Sequence, residues 1–511
     1  MDIEILLLIV VPLATAFLIP LIDLISTRLR RILIFFSSIT EIYIILSIFI
    51  KNYSSLKAGN FFLKYNLGGW SPPFGINLAM DSLSLLFSLI VTLALFMIVI
   101  FSIGFIGHHE GKYYVLFFLV IASIEGALLT GDIFNLYVFI EMMTISTAPL
   151  VAFKRSQEST EASIKYLFYG ITGGVFFFIG VILIYFSLGT LNMAEIARDF
   201  DLIDSTMKIT ITAVFMLGML IKLGIFPFHY WLPKAHSACP ASISAVLSGI
   251  LLKVYLYIFI RIFWTMINFN FLVDIHIAPF ILDLALVSSI LGHIFALQAD
   301  DLKRMLAFSS IGHIGMILAV VMLNTEAGFY GGLLHIISHM LMKSGLFTAS
   351  GYLLQYTISH NIDDFKGVGY RNRLLFISFI ILSLSMIGMP PLIGFVSKWY
   401  VLMAFLKARH FFGAFIVIFG SLTAVVYYLR YISKAYEEIK LTEDDLKREI
   451  FSRPLLSVFY REKIVTSVVY IFTFLVIFFG IGFKLFDMPI KMAAAELTNP
   501  QRYIDLINLG G

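Results

Sequence analysis

Long apolar runs follow one another along the whole sequence. An α-helix of about 20 mostly apolar residues crosses the hydrocarbon layer of a bilayer, because each residue adds about 1.5 Å. On this measure fourteen segments are predicted to span a membrane: residues 4–24, 32–50, 78–106, 113–130, 133–153, 162–188, 209–231, 241–264, 277–298, 305–323, 328–356, 374–402, 411–433 and 464–484. They lack the alternation of a β-barrel. The pattern therefore predicts an all-α integral membrane protein.

The composition supports a membrane protein and excludes several other classes. Of the 511 residues, 60% are hydrophobic and 13% are charged, whereas soluble domains average about 45–50% and about 25%. A cytosolic enzyme, a secreted disulfide scaffold and a disordered regulator are excluded. The net charge of +4 is too small to indicate a nucleic-acid partner. The single cysteine, Cys239, excludes a disulfide within the chain and a cysteine-ligated metal centre, so we expect no metal and no cofactor.

The distribution of Lys and Arg predicts the orientation in the cell membrane. The first residues lack the basic region of a removable signal peptide, so we expect residues 4–24 to be a retained first span. Of the 36 Lys and Arg, twenty fall on one side of the predicted spans, ten on the other side and six within them. Because basic residues concentrate on the cytoplasmic side, both termini are predicted to lie outside.

Charged residues within the predicted spans are the first candidates for a functional site. A lysine at mid-bilayer costs about 2.5–3.5 kcal/mol on insertion scales, so each one needs a compensating role. Arg261 and Arg430 lie near span ends, where a long side chain can reach the headgroups. Five residues lie deeper, and for these we favour a role in ion transport. They are Glu141, Lys222, Lys253, Lys343 and Lys398.

Two spans contain prolines that predict broken helices. Pro227 lies five residues after Lys222 in span seven, and Pro390 and Pro391 precede Lys398 in span twelve. Proline removes a backbone donor and opens the helix one turn earlier. Paired interruptions beside buried lysines are typical of ion sites at membrane depth and indicate repeated units. The alternative is that these prolines only bend long helices for packing.

Span eleven carries a polar stripe. His335, His339 and Lys343 are four residues apart and therefore share one helical face. Histidine titrates near neutral pH and suits the relay of protons between lysines. Haem ligation is disfavoured because two ligands one turn apart lie on the same side of a haem. A structural, hydrogen-bonded role for the histidines is the other alternative.

Glu141 and Lys222 are predicted to act as a switch. A carboxylate that approaches and leaves a buried lysine changes how firmly the lysine holds its proton. Movement of Glu141 would thus switch Lys222 between holding and releasing a proton.

Five stretches together resemble a known family. They are residues 134–141, 222–240, 251–253, 301–313 and 338–343, and they include the motifs FPFHYWLPKAH and SHMLMK. In combination they resemble the antiporter-like subunits shared by respiratory complex I and Mrp-type Na+/H+ antiporters. The resemblance runs from about residue 75 to 435.

The resemblance implies the architecture. The family has fourteen helices, of which helices four to eight and nine to thirteen form two inverted five-helix repeats, and spans seven and twelve are the broken helices. The corresponding domains are an N-terminal three-helix segment (1–110), a first repeat (111–265), a second repeat (266–436), and an amphipathic linker with a C-terminal helix (437–511).

The resemblance also implies roles along a central polar axis that carries protons. These are Glu141 and Lys222 as the coupled carboxylate and lysine, Lys253 as the bridging lysine, His339 and Lys343 as the middle of the axis, and Lys398 as the terminal site. At the terminal site this sequence has a lysine, Lys398 in the motif GFVSKW. In this respect the sequence looks more like the Mrp D-type protein and its relatives in membrane-bound hydrogenases and sulfur reductases.

We therefore expect a proton-translocating subunit of a multi-subunit membrane complex, without a redox centre of its own. Its partners would be other membrane subunits, lipid, protons and, in an exchanger, Na+. A membrane-bound hydrogenase or related reductase is favoured, and the alternative is the D-type component of a stand-alone Mrp antiporter. The alternative of another class is a passive membrane anchor for redox subunits.

Overall fold

The computed structural model describes residues 3–106, 110–357, 359–437 and 456–508. Most of the predicted amphipathic linker, residues 438–455, lies outside the described residues. The described chain is almost entirely helical, which confirms the predicted fold class. A short antiparallel hairpin, β1 (Leu63–Asn66) with β2 (Asn77–Met80), was not predicted.

The helices follow one another in a simple order. They are α1 (Ile3–Asp23), α2 (Thr27–Lys51), α3 (Tyr53–Lys57), α4 (Ser82–Phe105), α5 (Glu110–Leu129), α6 (Ile133–Val151), α7 (Gln157–Leu188), α8 (Met193–Asp199), α9 (Ser205–Leu223), α10 (Trp231–Ala238), α11 (Ala241–Val246), α12 (Leu252–Ile260), α13 (Phe269–Asp274), α14 (Ile277–Gln298), α15 (Leu302–Val321), α16 (Glu326–Leu353), α17 (Val368–Arg371), α18 (Arg373–Ile387), α19 (Ile393–Lys407), α20 (Phe411–Ala435), α21 (Leu456–Ile481), α22 (Asp487–Thr498) and α23 (Gln501–Asn508).

Among the described residues, 12 helical segments are long and apolar enough to cross a membrane. Each of them overlaps one of the predicted spans, and the multi-pass architecture is confirmed. The predicted span 328–356 is the 28-residue helix α16, whose polar side chains lower its hydropathy. The predicted span 374–402 is divided into α18 and α19, each of 15 residues.

Both predicted breaks are present. Helix α9 ends one residue after Lys222, and Gly224 follows in a left-handed conformation with φ 65°. Helix α18 ends at Ile387, and Gly388 has φ 98°. A side chain is strained at such angles, so glycine permits the chain to turn at these points.

Two matching loop contacts support a repeated architecture. Asp132 caps α6 and forms a β-bridge to Asn192, whereas Asp301 caps α15 and forms a β-bridge to Asn361. In each case the partner asparagine also caps the short helix that follows it. The two aspartates are 169 residues apart, and so are the two asparagines. The same combination of helix caps and a β-bridge therefore occurs twice at a constant spacing.

The segment from α11 through α12 lies at the centre of the bundle, because every residue of its apolar stretch is buried. Two π-helical turns, Leu247–Leu251 and Arg261–Met266, interrupt this segment. Helices α14 and α15 approach very closely, because a Cβ at Gly292 would lie 2.4 Å from the backbone nitrogen of Gly312. Small residues at such crossings allow membrane helices to pack backbone to backbone.

Contacts near the hairpin bring both ends of the described chain to one face of the bundle. Lys51 pairs with Glu4, Lys64 donates to the Ile507 carbonyl at 2.6 Å, and Arg502 donates to the Phe61 carbonyl at 3.4 Å. The two ends of the described chain therefore lie near the hairpin.

The prediction that Arg261 reaches the headgroups is wrong. Its side chain is buried and makes two hydrogen bonds to the Asp81 carboxylate, at 2.7 and 2.8 Å. Asp81 caps α4 and lies next to Arg261 because the hairpin folds back onto the bundle. A buried ion pair thus holds this arginine, whereas the Arg430 side chain is exposed and pairs with Asp300 at 2.6 Å.

Candidate functional site

Glu141 and Lys222 form the ion pair that the sequence predicts. Glu141 lies on α6 and Lys222 on the last turn of α9, and Lys222 Nζ donates to Glu141 Oε1 at 3.0 Å. Thr144, one turn beyond Glu141, accepts a second hydrogen bond from Nζ at 2.8 Å. Lys222 is 4% exposed. The lysine is therefore buried, whereas the Glu141 side chain keeps 17% of its surface exposed.

Glycines on α7 make room for this pair. A Cβ at Gly174 would lie 2.0 Å from Glu141 Oε1, and a Cβ at Gly173 would lie 3.2 Å from the Lys222 side chain. Sequence reasoning did not single out these glycines, although they stand together in the sequence GITGG. The glycine pair lets the backbone of α7 lie directly against the ion pair.

A small cavity of about 10 Å³ adjoins Lys222. Its lining includes Thr144, Tyr166 and Tyr255. This volume is about that of one water molecule. The hydroxyl groups of Thr144, Tyr166 and Tyr255 are polar groups on residues that line this cavity.

Lys253 lies on α12 directly after the first π-helical turn and is fully buried. Its Nζ donates to the Ser248 carbonyl, which lies within that turn. The Ser248 hydroxyl contacts Ser310 Oγ at 2.6 Å. A π-helical turn alters the regular backbone hydrogen bonding of the helix and is frequent at functional sites. Here a carbonyl of that turn holds the lysine.

Lys343 is fully buried on α16 and is held by α15. Its Nζ donates to the Leu306 carbonyl at 2.7 Å and to the Ser309 hydroxyl. A backbone carbonyl and a hydroxyl of α15 thus solvate the ammonium group in place of water. Such partners compensate a buried charge without a carboxylate.

Four imidazole rings form a cluster between Lys343 and the second break. The ring of His313 is central, with centroid distances of 5.2 Å to His293, 5.2 Å to His335 and 4.9 Å to His339. His313 Nδ1 contacts His335 Nε2 at 3.0 Å. The ring nitrogens of His339 make no hydrogen bond to the described protein atoms. This cluster offers several neighbouring groups that bind and release protons.

Sequence reasoning found His335 and His339 but did not assign His293 and His313 to the site. The two missed histidines stand alone on α14 and α15, so no i, i+4 stripe marks them. Gly312 and Gly420 pack against the ring of His293, where a Cβ would lie 2.8 and 2.7 Å from its atoms. Because these contacts join different helices, the sequence alone carries no signal for the burial of His293.

Lys398 lies beside the second break and uses the carbonyls that the break leaves free. Its Nζ donates to Met386 at 2.7 Å, to Ile387 at 3.2 Å and to Ser421 Oγ at 3.1 Å. Met386 and Ile387 end α18, where helix carbonyls have no partner within the helix. The negative end of the helix dipole therefore faces this lysine.

Ser397 connects the histidine cluster to the second break. Its hydroxyl contacts His335 Nδ1 at 2.9 Å, and Lys398 follows it in the chain. Direct hydrogen bonds thus join Glu141 to Lys222 and join His313 through His335 to Ser397. His339 packs against His313, and Lys253 and Lys343 are buried on α12 and α16, so the seven predicted residues lie in the interior of the bundle.

Comparisons with known proteins show the family to which the chain is similar. Residues 130–424 match the family described as NADH:quinone oxidoreductase/Mrp antiporter, transmembrane, and residues 68–118 match the N-terminal region of chain 5 of NADH-ubiquinone oxidoreductase, complex I. The N-type component of the NADH-quinone oxidoreductase of Desulforudis audaxviator is 34% identical over 385 residues, 73% of this chain and 75% of that relative. The D-type component of the Na+/H+ antiporter of Bacillus subtilis is 31% identical over 450 residues, 86% of this chain and 87% of that relative.

A solved structure extends the likeness to the whole chain. A chain of the membrane-bound sulfane sulfur reductase, an archaeal respiratory membrane complex, superposes with a TM-score of 0.89 at 29% identity, covering 98% of this chain and 99% of that chain. The family match covers more than half of the 511 residues. The chain therefore belongs to the NADH:quinone oxidoreductase/Mrp antiporter transmembrane family, as an antiporter-like subunit.

Proposed function

We propose that this subunit moves protons along the buried axis from Glu141 and Lys222, past Lys253, Lys343 and the histidine cluster, to Lys398. Movement along the axis would be coupled to redox chemistry or to Na+ exchange in partner subunits of a multi-subunit membrane complex. The chain itself contributes proton-binding side chains and no redox chemistry.

The observation that carries the proposal is the Glu141–Lys222 ion pair, with its buried lysine, beside a helix break. Moving one charge through about 200 mV costs about 4.6 kcal/mol. Removing one partner of a buried ion pair costs about 3–5 kcal/mol. Opening and closing this pair is therefore of the right size to couple a proton to a membrane potential.

A passive anchor explains the buried axis less well. An anchor needs apolar helices that hold redox subunits at the membrane, but it gains nothing from four neighbouring imidazoles and the four buried lysines of the proposed axis. Each of these groups costs free energy to bury, and here the lysines are matched to oxygen atoms of another helix, of a π-helical turn or of a helix break. A relay uses these groups, whereas an anchor does not need them.

Among complexes we favour a membrane-bound hydrogenase or related reductase over a stand-alone Mrp antiporter. The likeness to a chain of the archaeal sulfane sulfur reductase extends over 98% of this chain. Lysine at position 398 fits both alternatives. The neighbouring genes distinguish them, because a hydrogenase requires a nickel-binding subunit. We further propose that the complex lies in the cell membrane with both termini of this chain outside.

The decisive experiment compares two Lys–Glu pairs in the reconstituted complex. We expect Glu141→Ala and Lys222→Ala to abolish proton pumping into vesicles, measured with a pH-sensitive dye, while the complex still assembles. Glu161 and Lys165 form an exposed pair on α7 and supply matched controls. Glu161→Ala and Lys165→Ala should pump as the unmodified complex does. Unchanged pumping by Glu141→Ala or Lys222→Ala would refute the proposal.

A further inference from the structure

Helix α14 carries a carboxylate on the lateral surface of the bundle. Asp283 is exposed and makes no hydrogen bond or ion pair with the residues that the structure describes. Helix α14 contains no Lys or Arg, and it is long and apolar enough to cross a membrane. Sequence reasoning did not single out Asp283, because a sequence does not show which face of a spanning helix is exposed. Within the described chain this charged group is therefore uncompensated.

The depth of Asp283 makes its exposure costly. Asp283 is six residues after Ile277, the first residue of α14, which corresponds to about 9 Å along the helix. The 22 residues of α14 span about 33 Å, close to the roughly 30 Å of the hydrocarbon layer. Lys and Arg can extend a long side chain to the headgroups, whereas Asp has one methylene group. A carboxylate that faces lipid at this depth is strongly disfavoured, so we expect another group to cover it.

Two large apolar side chains flank Asp283 on the same face of α14. Phe280 is 63% exposed and Val287 is 40% exposed, and they lie three residues before and four residues after Asp283. Residues at this spacing form one stripe along a helix. The opposite side of α14 is packed, since Gly292 lies against the backbone of α15. Apolar contacts around one polar group are typical of the interfaces between membrane helices.

Helix α5 is the counterpart of α14 in the repeated architecture. It ends at Leu129, and α14 ends at Gln298, 169 residues later, which is the spacing of the two capping aspartates described above. By this spacing the three residues of the α14 stripe have counterparts on α5. They are Gly111, Tyr114 and Phe118, and all three are buried. The same face is therefore covered on α5 and uncovered on α14.

Helices from outside the five-helix repeat cover this face of α5. Helix α1 packs along α5, and a Cβ at Gly111 would overlap the Asp23 carboxylate at the end of α1. The Tyr114 hydroxyl contacts Ser102 Oγ on α4 at 3.0 Å. Both α1 and α4 precede the first repeat. The polar residue on this face of α5 thus has a partner on a helix that the repeat itself does not supply, and in the described chain the corresponding face of α14 has no such helix.

We propose that the stripe formed by Phe280, Asp283 and Val287 is an interface on which a transmembrane helix of a partner subunit packs, with a Lys or Arg of that helix paired to Asp283. The partner helix takes the place on α14 that α1 takes on α5. A basic side chain compensates the carboxylate by charge, and the apolar neighbours keep lipid away from the pair. This interface depends on the presence of partner membrane subunits but not on the proposed proton axis.

Asp283→Leu distinguishes a partner helix from lipid. An interface that supplies a cation loses its counter-charge, so we expect the share of this chain that stays bound to its neighbours on dilution of the purified complex to fall about tenfold or more. If Asp283 faces lipid instead, leucine is the better residue, and unchanged or increased retention would overturn the proposal. Asp274→Leu, at an exposed position on the short helix α13, is the matched control and should leave retention unchanged. Retention is normalised to the amount of this chain in the membrane.

Photo-cross-linking identifies the neighbour in a chain that keeps Asp283, and it also covers the case in which Asp283→Leu does not accumulate. Val287→p-benzoylphenylalanine places a photoreactive group one turn from Asp283, and the linked peptide of the irradiated, purified complex is sequenced by mass spectrometry. We expect a membrane-spanning segment of another subunit, with a Lys or Arg within about one turn of the linked residue. Links only to lipid, to this chain or a second copy of it, or to a segment without Lys or Arg would refute the proposal.

A charge exchange tests the ion pair itself. Asp283→Lys should release the neighbour as Asp283→Leu does, because two cations then face each other. Replacement of the cross-linked Lys or Arg by Asp in the same complex should restore retention, which a contact without an ion pair would not do, and a lack of rescue would contradict the pairing. Because Glu141→Ala should lose pumping while it keeps this neighbour, failure of the axis and failure of the interface are distinguishable.

Discussion

At the residue scale, the buried cations are compensated in different ways. Lys222 faces a carboxylate, whereas Lys343 and Lys398 face carbonyl and hydroxyl oxygens. A carboxylate can move away or take up a proton, but a carbonyl at the end of a helix is fixed by the backbone. The chemistry of each lysine therefore depends on its neighbours more than on its own depth in the membrane.

Gly174 provides a test of the contact between Glu141 and Lys222. Gly174→Ala places a methyl group where Glu141 Oε1 lies, 2.0 Å from the new Cβ, so the carboxylate must move away from Lys222. We expect pumping to fall about tenfold or more, as for a loss of about 1.4 kcal/mol. The measurement is the initial rate of vesicle acidification.

Gly180→Ala is the matched control, because it adds the same methyl group to α7 but meets the ring of Phe215 instead. It should lower thermal stability without a selective effect on pumping per assembled complex. Equal pumping rates for the two variants would contradict the assigned role of Gly174.

Glu496 lies on α22, outside the spanning helices, and its raised pKa predicts that the stability of the protein depends on pH. Burial, together with the charge of Asp81, raises the pKa of this carboxyl from 4.5 to about 7, although Arg502 lies 3.4 Å away. The folded chain thus holds a proton between pH 4.5 and about 7 that the unfolded chain releases, and the contribution of Glu496 to stability falls as pH rises through this window.

Glu496→Gln should remove that part of the pH dependence. We expect the difference in thermal unfolding midpoint between about pH 5 and about pH 7.5 to be smaller in this variant than in the unmodified complex. Glu437→Gln, at an exposed position, is the control and should leave the difference unchanged. A Glu496→Gln variant with an unaltered difference would argue against the raised pKa.

At the element scale, short-range patterns in the sequence predict the helices and their two breaks well. Hydrophobic runs of about 20 residues mark the spans, and the prolines near residues 227 and 390 mark the breaks, because both effects are local. The β1–β2 hairpin was missed, since its strands have only four residues each. That hairpin brings Asp81 to Arg261, and no local pattern predicts a contact between residues 180 positions apart.

Asp81→Asn tests the importance of this contact for the fold. The substitution leaves the Arg261 charge buried without its carboxylate, which costs about 3–5 kcal/mol. We expect a clear loss of thermal stability and of assembled complex, measured by calorimetry and by the yield of intact complex. Asp201→Asn removes one partner of an exposed pair with Lys208 and should change stability by less than about 1 kcal/mol.

At the scale of the whole molecule, the proposed axis is a series of steps through several helices. The sequence predicted its lysines because charge within an apolar run is conspicuous. It did not predict the central place of His313, because that depends on which faces of α14, α15 and α16 meet.

A series arrangement predicts non-additive kinetics. Thr144→Val removes a partner of Lys222, and Ser397→Ala removes the hydroxyl that contacts His335. We expect each variant to slow pumping about tenfold, because each loses about 1.5 kcal/mol of hydrogen bonding to a proton-carrying group. The double variant should pump at about the rate of the slower single variant, since the slowest step limits a series.

Independent contributions would instead give a double variant slowed about a hundredfold, the product of two tenfold effects. Thr172→Val is the control, because its hydroxyl is exposed on α7 and bonds to its own helix. Vesicle acidification rates for the set, normalised to the amount of assembled complex, distinguish the two cases.

Lys222 and Lys398 have different surroundings, and this difference indicates at which end of the proposed axis proton movement is controlled. At one end of the proposed axis Lys222 pairs with a carboxylate side chain, whereas at the other end Lys398 is held by two backbone carbonyls. A side chain such as Glu141 can change its rotamer, but the carbonyls around Lys398 are fixed by the backbone. The proposed axis can therefore be interrupted at Lys222 more readily than at Lys398. We therefore expect partner subunits to control proton movement by acting on α6, which carries Glu141, and on α7, which packs against the Glu141–Lys222 pair.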